Sequence, residues 1–211
     1  MASSSAETLN IAAWLSRSKV NGPGERFVLW VQGCPLNCAE CFNPEFIPFT
    51  AARQISVEEM AERILATEGI EGVTYSGGEP TIQSSALTTL SKKLKKEGLT
   101  IVSYSGYPLE ELRSRDDVEI NAFLDTLDIL IDGPFIKSQA ASLPWRGSRN
   151  QKVRFLTETY RHLKKDVNSE ERQIELVAGD DRWVMSGTWE DEFRKKLEKR
   201  ITGENERGDK E

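Results

Sequence analysis

Four short runs rich in branched and aromatic residues predict buried β-strands in the first two thirds of the chain. They cover residues 26–31, 70–75, 100–104 and 127–132. The runs are largely apolar, which is typical of a parallel sheet that is covered on both faces. A glycine follows each run within two residues and marks the end of the predicted strand.

Helical signals fall between these strands, at residues 56–69, 80–98, 109–113 and 117–124. Ser56 and Glu59 form a capping box at the start of the first helix, and Pro80 suits the first turn of the second. The alternation of strand and helix predicts an α/β fold with helices packed on a parallel sheet. Four such units cannot close an eight-stranded barrel, which needs about 250 residues, so we expect an open, partial (β/α) barrel.

The last third of the chain has a different pattern. Residues 173–177 and 182–185 flank a turn rich in Gly and Asp and predict an antiparallel β-hairpin. An amphipathic helix is predicted at residues 189–201. Residues 202–211 are polar, charged or glycine, so we expect a disordered tail.

Composition and charge restrict the compartment and the partners. The 211 residues carry 28 Lys and Arg against 34 Asp and Glu, a net charge of −6, which argues against nucleic acid and anionic membrane as partners. We find no basic leader and no apolar run approaching the ~20 residues that span a bilayer. The three cysteines cannot all pair with one another. The sequence therefore predicts a cytoplasmic protein with protein or small-molecule partners.

The strongest chemical signal is a group of three cysteines in the loop after the first predicted strand. Cys34, Cys38 and Cys41 are all the cysteines of the chain, in a C-x3-C-x2-C spacing. A compact loop of this kind can wrap three thiolates around one [4Fe-4S] cluster and leave the fourth iron open. Two alternatives are a zinc ion with the single histidine, His162, as fourth ligand, and buried thiols that bind no metal.

The spacing and several other stretches resemble the radical S-adenosylmethionine enzymes. Within them the sequence is most similar to the compact activating enzymes of glycyl-radical proteins, above all those of anaerobic ribonucleotide reductases. The similarity runs from about residue 20 to residue 152. It rests on the stretches 20–24 with 26–27, 31–44, 75–80, 105–107, 131–135 and 144–151.

This resemblance implies a partial barrel of the radical S-adenosylmethionine type and a mechanism in which the cofactors, not side chains of the protein, carry out the chemistry. Cys34, Cys38 and Cys41 would hold the [4Fe-4S] cluster, whose open iron binds S-adenosylmethionine. Reductive cleavage gives a 5′-deoxyadenosyl radical that abstracts hydrogen from a glycine of the partner. No catalytic side chain is assigned. The implied partners are the large subunit of an anaerobic ribonucleotide reductase and a one-electron donor such as flavodoxin or ferredoxin.

The resemblance also implies residues that bind S-adenosylmethionine. Glu40, through its backbone only, would lie beside the adenine with Cys41 and Phe42. The turn formed by Ser76, Gly77, Gly78 and Glu79 would hold the methionine amino group, and its glycines lack a Cβ that would keep a ligand away. Ser103, Ser105 and Asp132, near the ends of predicted strands, would face the ribose or methionine. Arg146 would grip the carboxylate. Read without the resemblance, these are a glycine turn, turn caps and a surface salt bridge.

Three units follow from these patterns: a radical S-adenosylmethionine core at residues 8–152, an extension at 153–201 packed on the core with its hairpin and helix, and the tail at 202–211. The extension lies outside the resemblance and could shape a different substrate site. An alternative function is therefore a radical enzyme acting on a small molecule or peptide. A non-catalytic iron-sulfur or zinc protein is a third reading.

Overall fold

The computed structural model describes residues 7–39, 41–169, 174–178 and 183–187, together with residues 193, 196, 197, 199 and 200. Its strands, in chain order, are β1 (Thr8–Ser18), β2 (Arg26–Val31), β3 (Arg53–Ser56), β4 (Gly72–Gly77), β5 (Thr100–Ser105), β6 (Ile129–Asp132), β7 (Ala140–Leu143), β8 (Arg146–Ser148), β9 (Lys152–Phe155), β10 (Ile174–Ala178) and β11 (Trp183–Gly187). Its α-helices are α1 (Val57–Leu65), α2 (Ser84–Lys96), α3 (Leu109–Ser114) and α4 (Val118–Leu124).

The fold is mixed α/β and is built on one large sheet. In the described residues this sheet has seven strands in the order β3-β1-β2-β4-β5-β6-β9. Strands β2, β4, β5 and β6 run parallel, whereas β1, β3 and β9 pair antiparallel with their neighbours. The four predicted strands are confirmed as this parallel centre, and their carboxyl ends lie at the same edge of the sheet.

The helices cover the sheet through an apolar core. The side chains of Met60 and Ile64 in α1 and of Leu87 and Leu90 in α2 are fully buried in this core. The predicted capping box is confirmed in its first half, since the Ser56 hydroxyl accepts the backbone N–H of Glu59 at 3.1 Å. The second predicted helix begins differently, because Pro80–Gln83 form a 3-10 turn before α2.

Strands β10 and β11 pair antiparallel, with Ala178 opposite Trp183, and confirm the predicted hairpin. Its turn, the expected tail, and residues 189–192, 194, 195, 198 and 201 of the last predicted helix lie outside the described residues. The residues described there, 193, 196, 197, 199 and 200, are helical. Among the helices that are described, none has the length and apolarity to cross a membrane.

Candidate functional site

The three thiols line one cleft at the edge of the sheet where the parallel strands end. This cleft, the thiol compartment, is open to solvent and has a cavity volume of about 150 Å³. The cysteine loop after β2 forms one side, and the loops that follow β4, β5 and β6 form the rest. Of the predicted site residues, those that line it are Cys34, Cys38, Cys41, Phe42, Ser76, Gly77, Gly78, Glu79 and Ser105.

The cysteine loop is anchored at both ends by backbone hydrogen bonds. The N–H groups of Gly33 and Cys34 donate to the carbonyls of Phe46 and Ile47 at 2.8 and 2.9 Å, so the chain returns beside the end of β2. Near its end, the N–H of Asn43 donates to the Sγ atom of Cys41 at 3.4 Å. Partial burial raises the pKa of the Cys34 and Cys41 thiols above the ordinary value. All three thiols are unpaired and half-buried, so they are available as ligands.

This set of donors fits an iron-sulfur cluster better than a single zinc ion. Among the described residues, no three metal-ligating side chains are gathered closely enough to hold one ion. A four-iron cluster makes a different demand, because each cysteine binds a separate iron and the thiolates stay apart. His162 lies in the 3-10 turn Arg161–Lys164 and does not line the thiol compartment. The zinc alternative therefore lacks its expected fourth ligand there.

Gly77, the last residue of β4, and Gly78, which follows it, are required by contacts within the chain. A Cβ on Gly77 would lie 2.6 Å from the backbone nitrogen of Val31, and one on Gly78 would lie 2.1 Å from the carbonyl oxygen of Gly33. Gly77 also adopts a φ of +96°, which favours glycine. Both residues line the thiol compartment. The space that a side chain would need at either position is occupied by backbone atoms at the end of β2 and of Gly33. Close packing of two strand ends is the physical reason for this pair.

Glu79 connects the turn after β4 to the loop after β5. Its side chain is 1% exposed. One carboxylate oxygen accepts the Thr81 N–H and hydroxyl at 3.1 and 2.8 Å, and the other accepts the Gly106 N–H at 2.8 Å. Burial raises the pKa of this carboxyl, and these hydrogen bonds oppose the shift. Glu79 is thus a buried carboxyl at the wall of the compartment with neutral donors around it.

Ser103 and Asp132 do not line the thiol compartment. The Ser103 hydroxyl donates to the Tyr104 carbonyl at 3.0 Å. The Asp132 carboxylate accepts the Leu109 N–H at 2.7 Å and the Arg154 Nε–H at 3.2 Å. Both side chains are buried, and their roles in binding S-adenosylmethionine stay predictions.

Arg146 lies in β8 and its guanidinium is directed to a neighbouring segment. It donates to the carbonyls of Val167 and Gln151 and to Oδ1 of Asn168. Its Nε is buried and has no partner among the described residues. Arg146 does not line the compartment, and its contact with the cofactor carboxylate also stays a prediction. Glu40 lies outside the described residues.

Sequence reasoning missed several residues of the compartment, chiefly Asn43, Tyr104, Phe135 and Gln151. Gln151 accepts the N–H groups of Gly147 and Ser148 through its side-chain oxygen and donates to the Gly133 carbonyl. It therefore fixes β8 against the loop after β6. The available signal was that Gln151 lies in the stretch 144–151, which carries the resemblance.

A second space, the outer compartment, adjoins the first and has a cavity volume of about 150 Å³. Trp30, Trp145 and Ser186 are among the residues that line only this part. The two compartments share the side chains of Phe42, Asn43, Ser76, Tyr104, Phe135 and Gln151. The two compartments are therefore neighbours that share these residues as a common wall.

Comparison with known proteins agrees with this geometry. Residues 20–154 match the family model described as a 4Fe-4S single cluster domain. The chain is 36% identical over 148 residues to the anaerobic ribonucleoside-triphosphate reductase-activating protein of Vibrio cholerae, a match that covers 65% of this chain and 92% of that protein. The protein of the same name from Haemophilus influenzae is 32% identical over 154 residues, with 68% and 96% covered.

Longer activating enzymes match over a shorter part. The pyruvate formate-lyase-activating enzyme of Staphylococcus epidermidis is 41% identical over 92 residues, which are 40% of this chain and 36% of that enzyme. A glycyl-radical enzyme activating enzyme of H. influenzae is 46% identical over 86 residues, 39% of this chain. The chain thus spans about a third of the length of these two relatives.

Proposed function

The chain belongs to the 4Fe-4S single cluster family and to the activating proteins of anaerobic ribonucleoside-triphosphate reductases, and on that basis we propose that it generates a glycyl radical in a partner protein. It is a radical S-adenosylmethionine enzyme with a [4Fe-4S] cluster. The observation that carries the proposal is the cleft itself, in which three unpaired thiols face the turn after β4.

Within this proposal, the chain's own residues bind and orient the cofactors. Cys34, Cys38 and Cys41 hold the cluster through their thiolates. When bound, the cluster supplies the electron that cleaves the sulfonium of S-adenosylmethionine and yields the 5′-deoxyadenosyl radical. The turn from Ser76 to Glu79 orients the methionine end, and the buried carboxylate of Glu79 offers a negative counterpart to its amino group. Phe42 and Ser105 complete the lining on either side.

The finer architecture is also part of the proposal. We assign residues 8–152 to the radical S-adenosylmethionine core, in the form of a partial barrel, and residues 153–201 to an extension packed on it, followed by a tail at 202–211. Strand β9, which begins at Lys152, pairs with β6 and supports close packing of the start of the extension. The thiol chemistry favours a reducing compartment, and we place the enzyme in the cytoplasm.

The partner is a glycyl-radical protein, the large subunit of an anaerobic ribonucleotide reductase, and a flavodoxin or ferredoxin supplies the electron. One observation favours the alternative, a small-molecule or free-peptide substrate: the end of β11 lines the outer compartment and encloses it on one side.

The test is anaerobic. The reconstituted, reduced protein is mixed with S-adenosylmethionine and the purified anaerobic ribonucleotide reductase encoded by the same genome. We expect 5′-deoxyadenosine and a glycine-centred doublet in the electron paramagnetic resonance spectrum, and neither with Cys34→Ala. Formation of 5′-deoxyadenosine without that doublet would contradict the activating function and leave the alternative.

A further inference from the structure

The residue directly after Cys41 joins the cysteine loop to the loop after β6 and to β8. The ring of Phe42 lies against the ring of Phe135, with 4.5 Å between the ring centroids and 54° between the ring planes. A Cβ on Gly147 would lie 2.7 Å from Cε2 of Phe42 and 3.2 Å from its Cζ. Phe135 and Gly147 therefore form a seat for the Phe42 ring, which we call the ring seat.

The contact with Phe42, and not the backbone, requires glycine at residue 147. The φ of Gly147 lies outside the positive range that favours glycine, so the backbone itself accepts a side chain. The room for a Cβ is taken by the edge of the Phe42 ring and by Cδ2 of Phe135, which would lie 3.2 Å away. An alanine at this position would therefore push against the ring.

Hydrogen bonds hold the two parts of the ring seat together. The side-chain oxygen of Gln151 accepts the N–H of Gly147 at 2.9 Å and fixes the glycine itself. Three further bonds join the loop after β6 to β8 and the turn that follows it. They run from Nε2 of Gln151 to the Gly133 carbonyl at 3.1 Å, from Nδ2 of Asn150 to the Pro134 carbonyl at 2.7 Å and from the Ile136 N–H to the Ser148 hydroxyl at 3.3 Å. A methyl group on residue 147 should therefore displace the ring and leave the seat in place.

Displacement of the ring acts on one end of the cysteine loop. Phe42 is bonded to Cys41, and the N–H of Asn43 donates to the Sγ atom of Cys41 at 3.4 Å. A shift of Phe42 therefore moves this thiol and the donor beside it. Cys34 is held differently, since its own N–H donates to the carbonyl of Ile47 at 2.9 Å. The thiols of Cys34 and Cys41 should thus respond differently when the ring moves.

We propose that Gly147 is a positioning residue for Cys41: the ring seat holds Phe42, and Phe42 fixes the Cys41 sulfur together with the N–H group that donates to it. Gly147 lines the outer compartment and not the thiol compartment, so it acts through Phe42. Hydrogen bonds to the sulfur atoms help to set the reduction potential of an iron-sulfur cluster. The inference rests on the proposed function, in which Cys41 is a cluster ligand, and adds a residue that controls this ligand.

The experiment compares three variants of the full chain. Gly147→Ala adds a methyl group that overlaps the Phe42 ring, whereas Phe42→Leu removes the two ring atoms that this methyl group would meet. The matched control is Gly98→Ala, which adds the same methyl group where no atom lies within 4 Å of it. Urea unfolding of the unloaded proteins shows that each variant is folded before its thiols are compared.

The first measurement uses the unloaded protein and needs no cofactor. Iodoacetamide is added at one fixed pH, and mass spectrometry of the peptides gives the alkylation rate of each cysteine. We expect Cys41 to react about threefold to tenfold faster in Gly147→Ala than in the wild type, as the weakening of one hydrogen bond and its contact allows. Cys34, which is held by its own backbone bond, should react at the wild-type rate and serves as the internal reference.

The second measurement uses the cluster-loaded protein without S-adenosylmethionine. A titration at controlled potential, followed by visible absorption, gives the ratio of reduced to oxidised cluster. At a fixed potential this ratio should be lower in Gly147→Ala by about threefold or more, because the N–H group that stabilises the added electron moves away from the Cys41 sulfur. Gly98→Ala should titrate as the wild type does, since a loss of stability alone leaves the Cys41 sulfur in place.

The double variant decides whether Gly147 acts through Phe42. In the Phe42→Leu background, Gly147→Ala should change neither the alkylation rate of Cys41 nor the cluster ratio any further. The proposal is overturned if Gly147→Ala alkylates at Cys41 as Gly98→Ala does, or if its effect is the same in both backgrounds. Should Gly147→Ala not fold, Phe42→Leu alone must speed alkylation at Cys41, and an unchanged rate there would also overturn the proposal. Because neither measurement uses S-adenosylmethionine or a partner, a wild type that forms no 5′-deoxyadenosine would contradict the proposed function alone.

Discussion

The carboxylate of Glu79 accepts the backbone N–H of Gly106 at 2.8 Å and so links the loops that follow two neighbouring parallel strands. Among the described residues, the hydrogen-bond partners of this buried group are Thr81, Ser105 and Gly106, and none of them is a cation. Ionisation of this carboxyl therefore costs desolvation in the absence of a ligand. A cationic ligand group in the cleft would offset that cost.

Glu79 should therefore give the unloaded protein a characteristic pH dependence. Burial raises the pKa of its carboxyl above the ordinary value of 4.5, so the native state holds the proton to a higher pH than the unfolded chain does. Between the two pKa values the native state binds more protons, and its free energy of unfolding falls as the pH rises. We expect the stability of the wild type relative to Glu79→Gln to decrease as the pH rises through this window.

Urea unfolding of both proteins from about pH 5 to about pH 8 measures the effect, since the difference between them removes the titration of all other groups. Glu45→Gln, at an exposed position of the cysteine loop, is the control. A difference for Glu79→Gln that stays constant with pH would mean that burial does not shift the pKa of this carboxyl.

The glycine pair at the end of β4 gives a steric prediction. In Gly78→Ala the new Cβ would lie 2.1 Å from the carbonyl oxygen of Gly33, which belongs to the backbone and cannot rotate away. We expect a loss of about 3 kcal/mol or more in the free energy of unfolding, and loss of S-adenosylmethionine binding, because the turn must move.

Gly98→Ala is the matched control for that substitution. Gly98 has a φ of +84° and no atom within 4 Å of its missing Cβ, so only backbone strain of about 1–2 kcal/mol is expected. Thermal or urea unfolding separates the two cases. Equal losses at the two positions would refute the close-packing account of Gly78.

The parallel centre of the fold could be predicted because its strands are apolar and end at glycine. Strand β1 could not, because two irregularities in its pairing with β2, between Ile11 and Ala13 and between Leu15 and Ser18, break the alternation of apolar and polar residues. Strand β9 is short and half-exposed, and only its pairing with β6 makes it a strand. Local pattern does not encode such pairing.

The candidate site also contains residues whose position could be predicted from the sequence and residues whose position could not. Ser105 could be placed at the cleft because it ends β5, whereas Ser103, two residues earlier on the same face, lies too deep in the sheet. Asp132 also ends a strand, but Leu109 and Arg154 occupy its carboxylate oxygens. Which element satisfies a polar group is a tertiary property, and strand position alone does not reveal it.

At the end of the sheet opposite the cleft, Arg26 provides a test of the scaffold. Its fully buried guanidinium donates to the carbonyls of Pro23, Val73 and Thr100 and to three hydroxyls. A lysine side chain has a single nitrogen and cannot donate to all of these acceptors at once. We expect Arg26→Lys to lower the free energy of unfolding by about 3 kcal/mol or more, since several buried acceptors lose their partner.

The control for Arg26 is Arg17→Lys, a half-exposed arginine that pairs with Glu25 at the surface. Its effect in the same urea titration should be much smaller, because exposed ion pairs contribute little. A similar loss for both variants would show that the buried hydrogen bonds of Arg26 do not hold the strand starts together.

The last prediction concerns the metal. Anaerobic reconstitution should load about four irons and four sulfides, because three thiolates suffice for a cluster with one open iron. Cys34→Ser, Cys38→Ser and Cys41→Ser should each abolish loading, as two thiolates cannot hold the cube in a half-exposed loop. Urea unfolding of the unloaded variants should stay close to that of the wild type, since all three thiols are unpaired and partly exposed. Iron and sulfide analysis, together with visible absorption, measures the loading. Stoichiometric zinc without visible absorption would overturn the cluster assignment, and so would full loading in any one of the three variants.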